Sequence, residues 1–185
     1  MGLCYSINRE HRALSKATCQ GKRTFNGKTL LARVVRVYDG DTIFIETRLS
    51  SKEPLYEYSL RLTGVDAPEI KPQKDCPHRE LHKKAAVVSK DFVQGLCLDQ
   101  IVQIEFQKEE KYGRLLGTVY TLKKGCLGFG SYRKDVNVTE ELLRRKLALP
   151  YGGGAKYTFD QEFLSNILRS VGQEIPSNSL YPTVF

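Results

Sequence analysis

The 185-residue chain has no CxxC pair, no even cysteine framework, no long apolar run and no internal repeat. Its five cysteines, Cys4, Cys19, Cys76, Cys97 and Cys126, are an odd number, which argues against a disulfide scaffold and predicts reduced thiols in an intracellular compartment. No stretch is apolar enough to cross a bilayer, and the first residues lack the continuous hydrophobic core of a secretory signal. Neither a membrane-spanning nor an exported protein is expected. Acids are scarce at the start: residues 1–28 hold six Lys/Arg against one acid, Glu10. That segment has no sustained periodicity and reads as a mobile basic tail.

What is present fits one folded domain. With 41% hydrophobic and 27% charged residues the chain has enough apolar material for a core. The net charge of +8 suits a polyanionic partner, nucleic acid or an acidic membrane face. The expected division is a basic tail over 1–28, a domain over 29–170 and a C-terminal tail over 171–185.

Hydrophobic alternation predicts strands over 31–37 and 42–46, joined through Asp39-Gly40, a hairpin dipeptide. In a third strand Tyr58, Leu60 and Leu62 alternate with Ser59, Arg61 and Thr63, so Arg61 is expected on the displayed polar face. A Pro-rich loop then leads to a helix with an apolar stripe of Leu81, Ala85, Val88 and Phe92, ending at Gly95. Two more strands follow, around Val102, Ile104 and Phe106 and over 114–121. Asn137 with Glu140 resembles a capping box opening a helix that Pro150 terminates. After the flexible Gly152, Gly153 and Gly154, Phe159, Phe163 and Ile167 mark a closing helix. This order predicts an α+β, mainly β, fold: an OB-type five-stranded, partly open barrel with about three helices. An open α+β sheet is the alternative.

Three short segments are unusual together: Asp39-Gly40-Asp41-Thr42 at a hairpin, Arg61 to Glu69 at a strand end, and Lys111-Tyr112-Gly113-Arg114 opening a strand. Singly, each has an ordinary reading as a turn, a Pro-stopped strand end or a solvated arginine. Jointly, they meet the needs of phosphodiester cleavage: a hard cation on the phosphate, a base for water, and positive charge where negative charge grows. Two carboxylates from separate turns give a cation part of an oxygen shell, which suits Ca²⁺. Arginine suits phosphate through its planar, permanently charged fork.

These segments, in this order, resemble the staphylococcal nuclease (thermonuclease) family over about residues 31–149. The resemblance implies a five-stranded OB barrel and Ca²⁺-dependent endonucleolytic hydrolysis of DNA and RNA that leaves 3′-phosphate ends. It makes Asp41, Asp66 and the backbone carbonyl of Ala67 the metal ligands. Glu69 becomes the base, or at least the group that orients the attacking water, Arg61 and Arg114 bind the phosphate and its transition state, and Lys111 and Tyr112 contact a neighbouring phosphate. There are departures. Ala67 stands where the family's type member has Thr, Lys146 replaces a helix-ending Gly, and Tyr151-Gly152-Gly153-Gly154 replaces a Tyr-rich base-stacking stretch.

Other features are weaker. Cys76, His78 and His82 carry zinc-binding atoms but lack a convincing fourth ligand, and a mobile loop beside the site is the preferred reading. Asn137-Val138-Thr139 fits a glycosylation sequon, but Asn137 is better explained as a helix cap. Met1-Gly2-Leu3-Cys4-Tyr5-Ser6 fits N-myristoylation at Gly2 with palmitoylation at Cys4. With the basic tail, it predicts a place on the cytoplasmic face of a membrane, or otherwise in the cytosol; the chain is expected to be a monomer. A non-catalytic OB module binding nucleic acid or protein is the competing function, and a lipid-anchored adaptor is a third. Neither has a use for two metal carboxylates, Glu69 and both arginines together.

Overall fold

The computed structural model describes residues 24–107, 114–124, 132–154 and 158–171. Gly2, Cys4, Lys111, Tyr112 and Cys126 lie outside the described residues. In chain order the elements are β1 Thr29–Val37, β2 Thr42–Thr47, β3 Tyr56–Leu62, β4 Val65–Asp66, α1 Arg79–Cys97, β5 Ile101–Phe106 and β6 Leu115–Lys124. They continue with β7 Tyr132–Asn137, α2 Val138–Arg144, β8 Leu149–Pro150 and α3 Gln161–Val171. Among the described residues no helix is long and apolar enough to cross a membrane.

Five strands form a ring. Antiparallel pairing runs β3-β2-β1-β5-β6, and a parallel β3–β6 contact, Leu60 opposite Leu115 and Leu62 opposite Gly117, joins its ends. Closure removes the free edges that an open sheet would expose. The expected barrel with three helices is therefore present, and the open sheet is excluded. Inward residues Val34, Ile43, Ile45, Leu60, Leu62, Val102, Ile104 and Val119 are all at most 1% exposed, as strand alternation requires. Gly117 marks the tight point of closure: a Cβ there would lie 2.9 Å from Ile104 Cγ2 and 3.1 Å from the Glu105 carbonyl oxygen. No larger residue fits without moving a strand.

Several boundaries differ from the sequence expectation. Phe25, assigned to the tail, is buried with its ring centroid 4.9 Å from both Tyr58 and Phe106. Packing thus begins before residue 29. Helix α1 runs through Gly95 to Cys97, and its buried face is His82, Ala85, Ala86, Ser89, Val93 and Cys97. Leu81, Val88 and Phe92 flank that face, because small residues let the helix sit close to the barrel while longer ones cover the seam. β7, which the sequence reading lacked, pairs with β6 outside the ring.

Asn137 caps α2 as expected: its Oδ1 accepts from the Thr139 N–H at 3.0 Å and the Glu140 N–H at 3.4 Å. Pro150 does not terminate that helix. The end comes earlier, where Lys146 N donates to the Leu143 carbonyl and Leu147 N to the Leu142 carbonyl, with Lys146 at φ 56. This is the paired hydrogen-bond stop that usually carries glycine. Pro150 instead pairs with Val65 between β8 and β4.

Candidate active site

The site lies where the β1–β2 connection meets the end of β3 and the turn at β4. The connection is held by Tyr38 N donating to the Thr42 carbonyl at 2.9 Å. Gly40 does not adopt positive φ, the property that makes Asp-Gly a hairpin signal. Its role is proximity: a Cβ there would lie 2.8 Å from the Cβ atoms of both Ala67 and Ser89. Glycine therefore lets the Asp39–Asp41 loop rest on Ala67 and α1. Ser89 in turn donates to the Leu147 carbonyl at 2.7 Å.

This approach brings Asp41 to Arg61. Asp41 Oδ2 lies 2.9 Å from Arg61 Nη2, and Asp66 Oδ1 lies 2.7 Å from the same nitrogen. The Ala67 N–H donates to Asp41 Oδ2 at 3.4 Å and Thr42 Oγ1 to Asp41 Oδ1 at 2.8 Å. Tyr151 covers the cluster, its ring centroid 5.5 Å from Arg61 Cζ.

Arg61 is not displayed as the strand alternation predicted. It is 4% exposed, because Asp41 and Asp66 cover the outer face of β3. A period of two says which side of the strand a residue takes, not what lies over that side.

A cleft of about 290 Å³ opens beside the cluster, lined by Asp39, Asp41, Arg61, Glu69, Lys71 and Arg114 among others. It thus gathers Arg61, Glu69, Arg114 and Asp41. Asp66 and Ala67 line the neighbouring cleft on the far side of Glu69. Asp39 was not a candidate from sequence. Burial, then the charge of Asp41, pushes its carboxyl up to about 8. The Asp41 N–H donates to Asp39 Oδ1 at 3.3 Å.

Two buried carboxylates, Asp41 and Asp66, thus flank one buried guanidinium, with the buried Asp39 carboxyl beside Asp41. The surplus of negative charge and the all-oxygen donor set fit a hard divalent cation. Among the described residues no trio of His, Cys, Asp or Glu forms a preformed metal cage. Two carboxylates can supply only part of a coordination sphere. The zinc alternative gains no support from that result: Cys76 Sγ and His82 Nδ1 lie 3.5 Å apart, a hydrogen-bond distance.

The staphylococcal nuclease homologue family model matches residues 59–166, more than half of the chain. The chain belongs to that family. The match spans Arg61, Asp66, Ala67, Glu69 and Arg114, while Asp41 precedes it and joins them through the fold. Among curated relatives of this family chain, a thermonuclease of Staphylococcus hyicus is 36% identical over 95 residues, covering 50% of this chain and 49% of the relative. Endonuclease Htp3 of Saprolegnia parasitica is 29% identical over 140 residues, covering 70% and 60%. An uncharacterized endonuclease of Escherichia coli is 33% identical over 88 residues, covering 48% and 46%. The chain thus spans about half the length of the curated relatives it matches, up to 60% for one.

Proposed function

We propose that the chain is a calcium-dependent nuclease that hydrolyses phosphodiester bonds of DNA and RNA and leaves 3′-phosphate ends. The observation that carries this reading is the Arg61 guanidinium held at 2.9 and 2.7 Å by Asp41 and Asp66, beside a cleft that Glu69 and Arg114 also line. Membership of the family and the endonuclease names of two relatives support it.

In this reading Asp41, Asp66 and the Ala67 carbonyl hold Ca²⁺. Once bound, the ion supplies Lewis-acid polarisation of a phosphate oxygen. Glu69 takes a proton from the attacking water as its oxygen bonds to phosphorus. Arg61 and Arg114 donate to phosphoryl oxygens, where charge grows in the transition state. The P–O5′ bond breaks, the departing 5′ oxygen takes up a proton from solvent water, and the phosphate stays on the 3′ side. Lys111 and Tyr112 bind a neighbouring phosphate.

A non-catalytic OB module is the competing function. Replacing a buried ion cluster by apolar residues is often neutral or stabilising, by about 1–4 kcal/mol. A barrel that only binds therefore has no physical use for two buried carboxylates on one buried arginine. The test is to incubate purified protein with single- and double-stranded DNA and RNA in calcium and treat the products with a 3′-phosphatase. The expected result is cleavage with 3′-phosphate ends. Binding without cleavage would support the module, and 5′-phosphate ends would contradict the assigned bond.

A further inference from the structure

A part-buried hydrogen bond ties the backbone of Glu69 to α1. The Glu69 N–H donates to His82 Nε2 at 2.8 Å, and His82 is 5% exposed. A backbone N–H can only donate, so Nε2 is the unprotonated nitrogen and the imidazole proton sits on Nδ1. Nδ1 faces Cys76 Sγ at 3.5 Å, which accepts that proton's hydrogen bond. The ring also stands edge-on to Phe159, with centroids 5.3 Å apart at 90°. Cys76, Phe159 and Glu69 thus fix the imidazole on three sides.

Glu69 has no strand to hold it. It lies after β4, in the connection that reaches α1 only at Arg79. A loop carboxylate placed by a rigid helix keeps its aim better than one placed by the loop alone. We infer that His82 is a positioning residue: its Nε2 anchors the Glu69 peptide to α1 and so sets where the Glu69 carboxylate enters the cleft, without touching substrate. This rests on the proposed role of Glu69.

His82→Leu removes the acceptor while keeping an apolar side chain in the site. His82→Gln keeps an acceptor oxygen that can approach the Nε2 position. His82→Leu should lower kcat by roughly 10-fold to 10²-fold, the scale of a misplaced reacting group, with KM and the calcium midpoint near those of the parent. His82→Gln should recover most of that loss. In a Glu69→Gln background, His82→Leu should cause no further fall, because its effect runs through Glu69.

Amide hydrogen exchange reads the same bond independently of activity. The Glu69 amide should exchange slowly in the parent and in His82→Gln, and quickly in His82→Leu at unchanged global Tm. A Glu69 amide equally protected in folded His82→Leu would overturn the inference, as would additive kcat losses in the double variant. If the parent hydrolysed nothing, the proposed function would fail, and the exchange measurement would still decide whether His82 holds Glu69.

Discussion

Arg61 meets Asp41 and Asp66 at 2.9 and 2.7 Å with all three side chains at most 5% exposed. On α2 and just beyond it, Arg144 and Arg145 meet Glu141 at 2.6 and 2.8 Å, with the arginines 65% and 43% exposed. The distances do not separate the two clusters. Burial does. At the barrel mouth the charges have lost their water, so each group strongly affects its neighbours and breaking one pair strands a buried charge. On the helix, solvent screens the pairs, each of which contributes about 0.3–0.5 kcal/mol. The first cluster is kept at some expense in stability, and the second adds only a small stabilising pairing.

The sharpest way to break this comparison is Arg61→Lys. Lysine keeps the charge but loses the planar fork, so kcat should fall by roughly 10² or more, as when one preorganised donor is removed. Circular dichroism should still report a folded barrel. Arg144→Lys should leave turnover unchanged. A folded Arg61→Lys enzyme with parental kcat would make the buried arginine a structural residue.

Asp41→Asn comes next. On the proposed metal role of Asp41, losing its charge should move the calcium activation curve to higher concentration, read by hydrolysis rate against free calcium. An unchanged midpoint would remove Asp41 from the metal site.

How far these differences could be read in advance varies along the chain. The inward residues of β1, β2, β3, β5 and β6 follow a local period of two, so the strands were legible, as was the Asn137 cap. The grouping of Asp41, Arg61, Asp66, Glu69 and Arg114 was legible as a set of residue types. The burial of Asp41, Arg61 and Asp66 was not, since it depends on the Asp39–Asp41 loop folding over β3. That loop settles there because Gly40 lets it touch Ala67 and Ser89, a contact between distant segments that no local pattern encodes. His82 read as a weak zinc candidate for the same reason, because its partner is the backbone N–H of Glu69, thirteen residues earlier.

On the helix side the comparison sharpens in the other direction. Lys146 holds φ 56 at the stop of α2, and a left-handed conformation costs a side-chain-bearing residue about 1 kcal/mol or more. Lys146→Gly should therefore raise stability by about 1 kcal/mol in chemical denaturation, with kcat unaltered. Lower stability would show that the Lys146 side chain makes compensating contacts.

The smallest effect should come from Glu141→Gln. Hydrogen bonding to Arg144, then to Arg145, holds the Glu141 carboxyl down at about 2, against an ordinary value of 4.5. A depressed folded pKa gives stability that is present above the unfolded value and lost as pH falls through the folded one. The difference in Tm between parent and variant should be small at pH 7, below about 1 kcal/mol in stability terms. It should shrink between about pH 4.5 and pH 2. A difference that grows on acidification would contradict the pairing.

The barrel-mouth cluster is best tested by its metal dependence. Hydrolysis of a labelled single-stranded DNA oligonucleotide should be followed in millimolar calcium, and in a calcium chelator with magnesium supplied. A weak, open oxygen site predicts cleavage in the first condition and little or none in the second, because magnesium demands a smaller, near-octahedral shell. Full activity with magnesium and chelator would contradict the account.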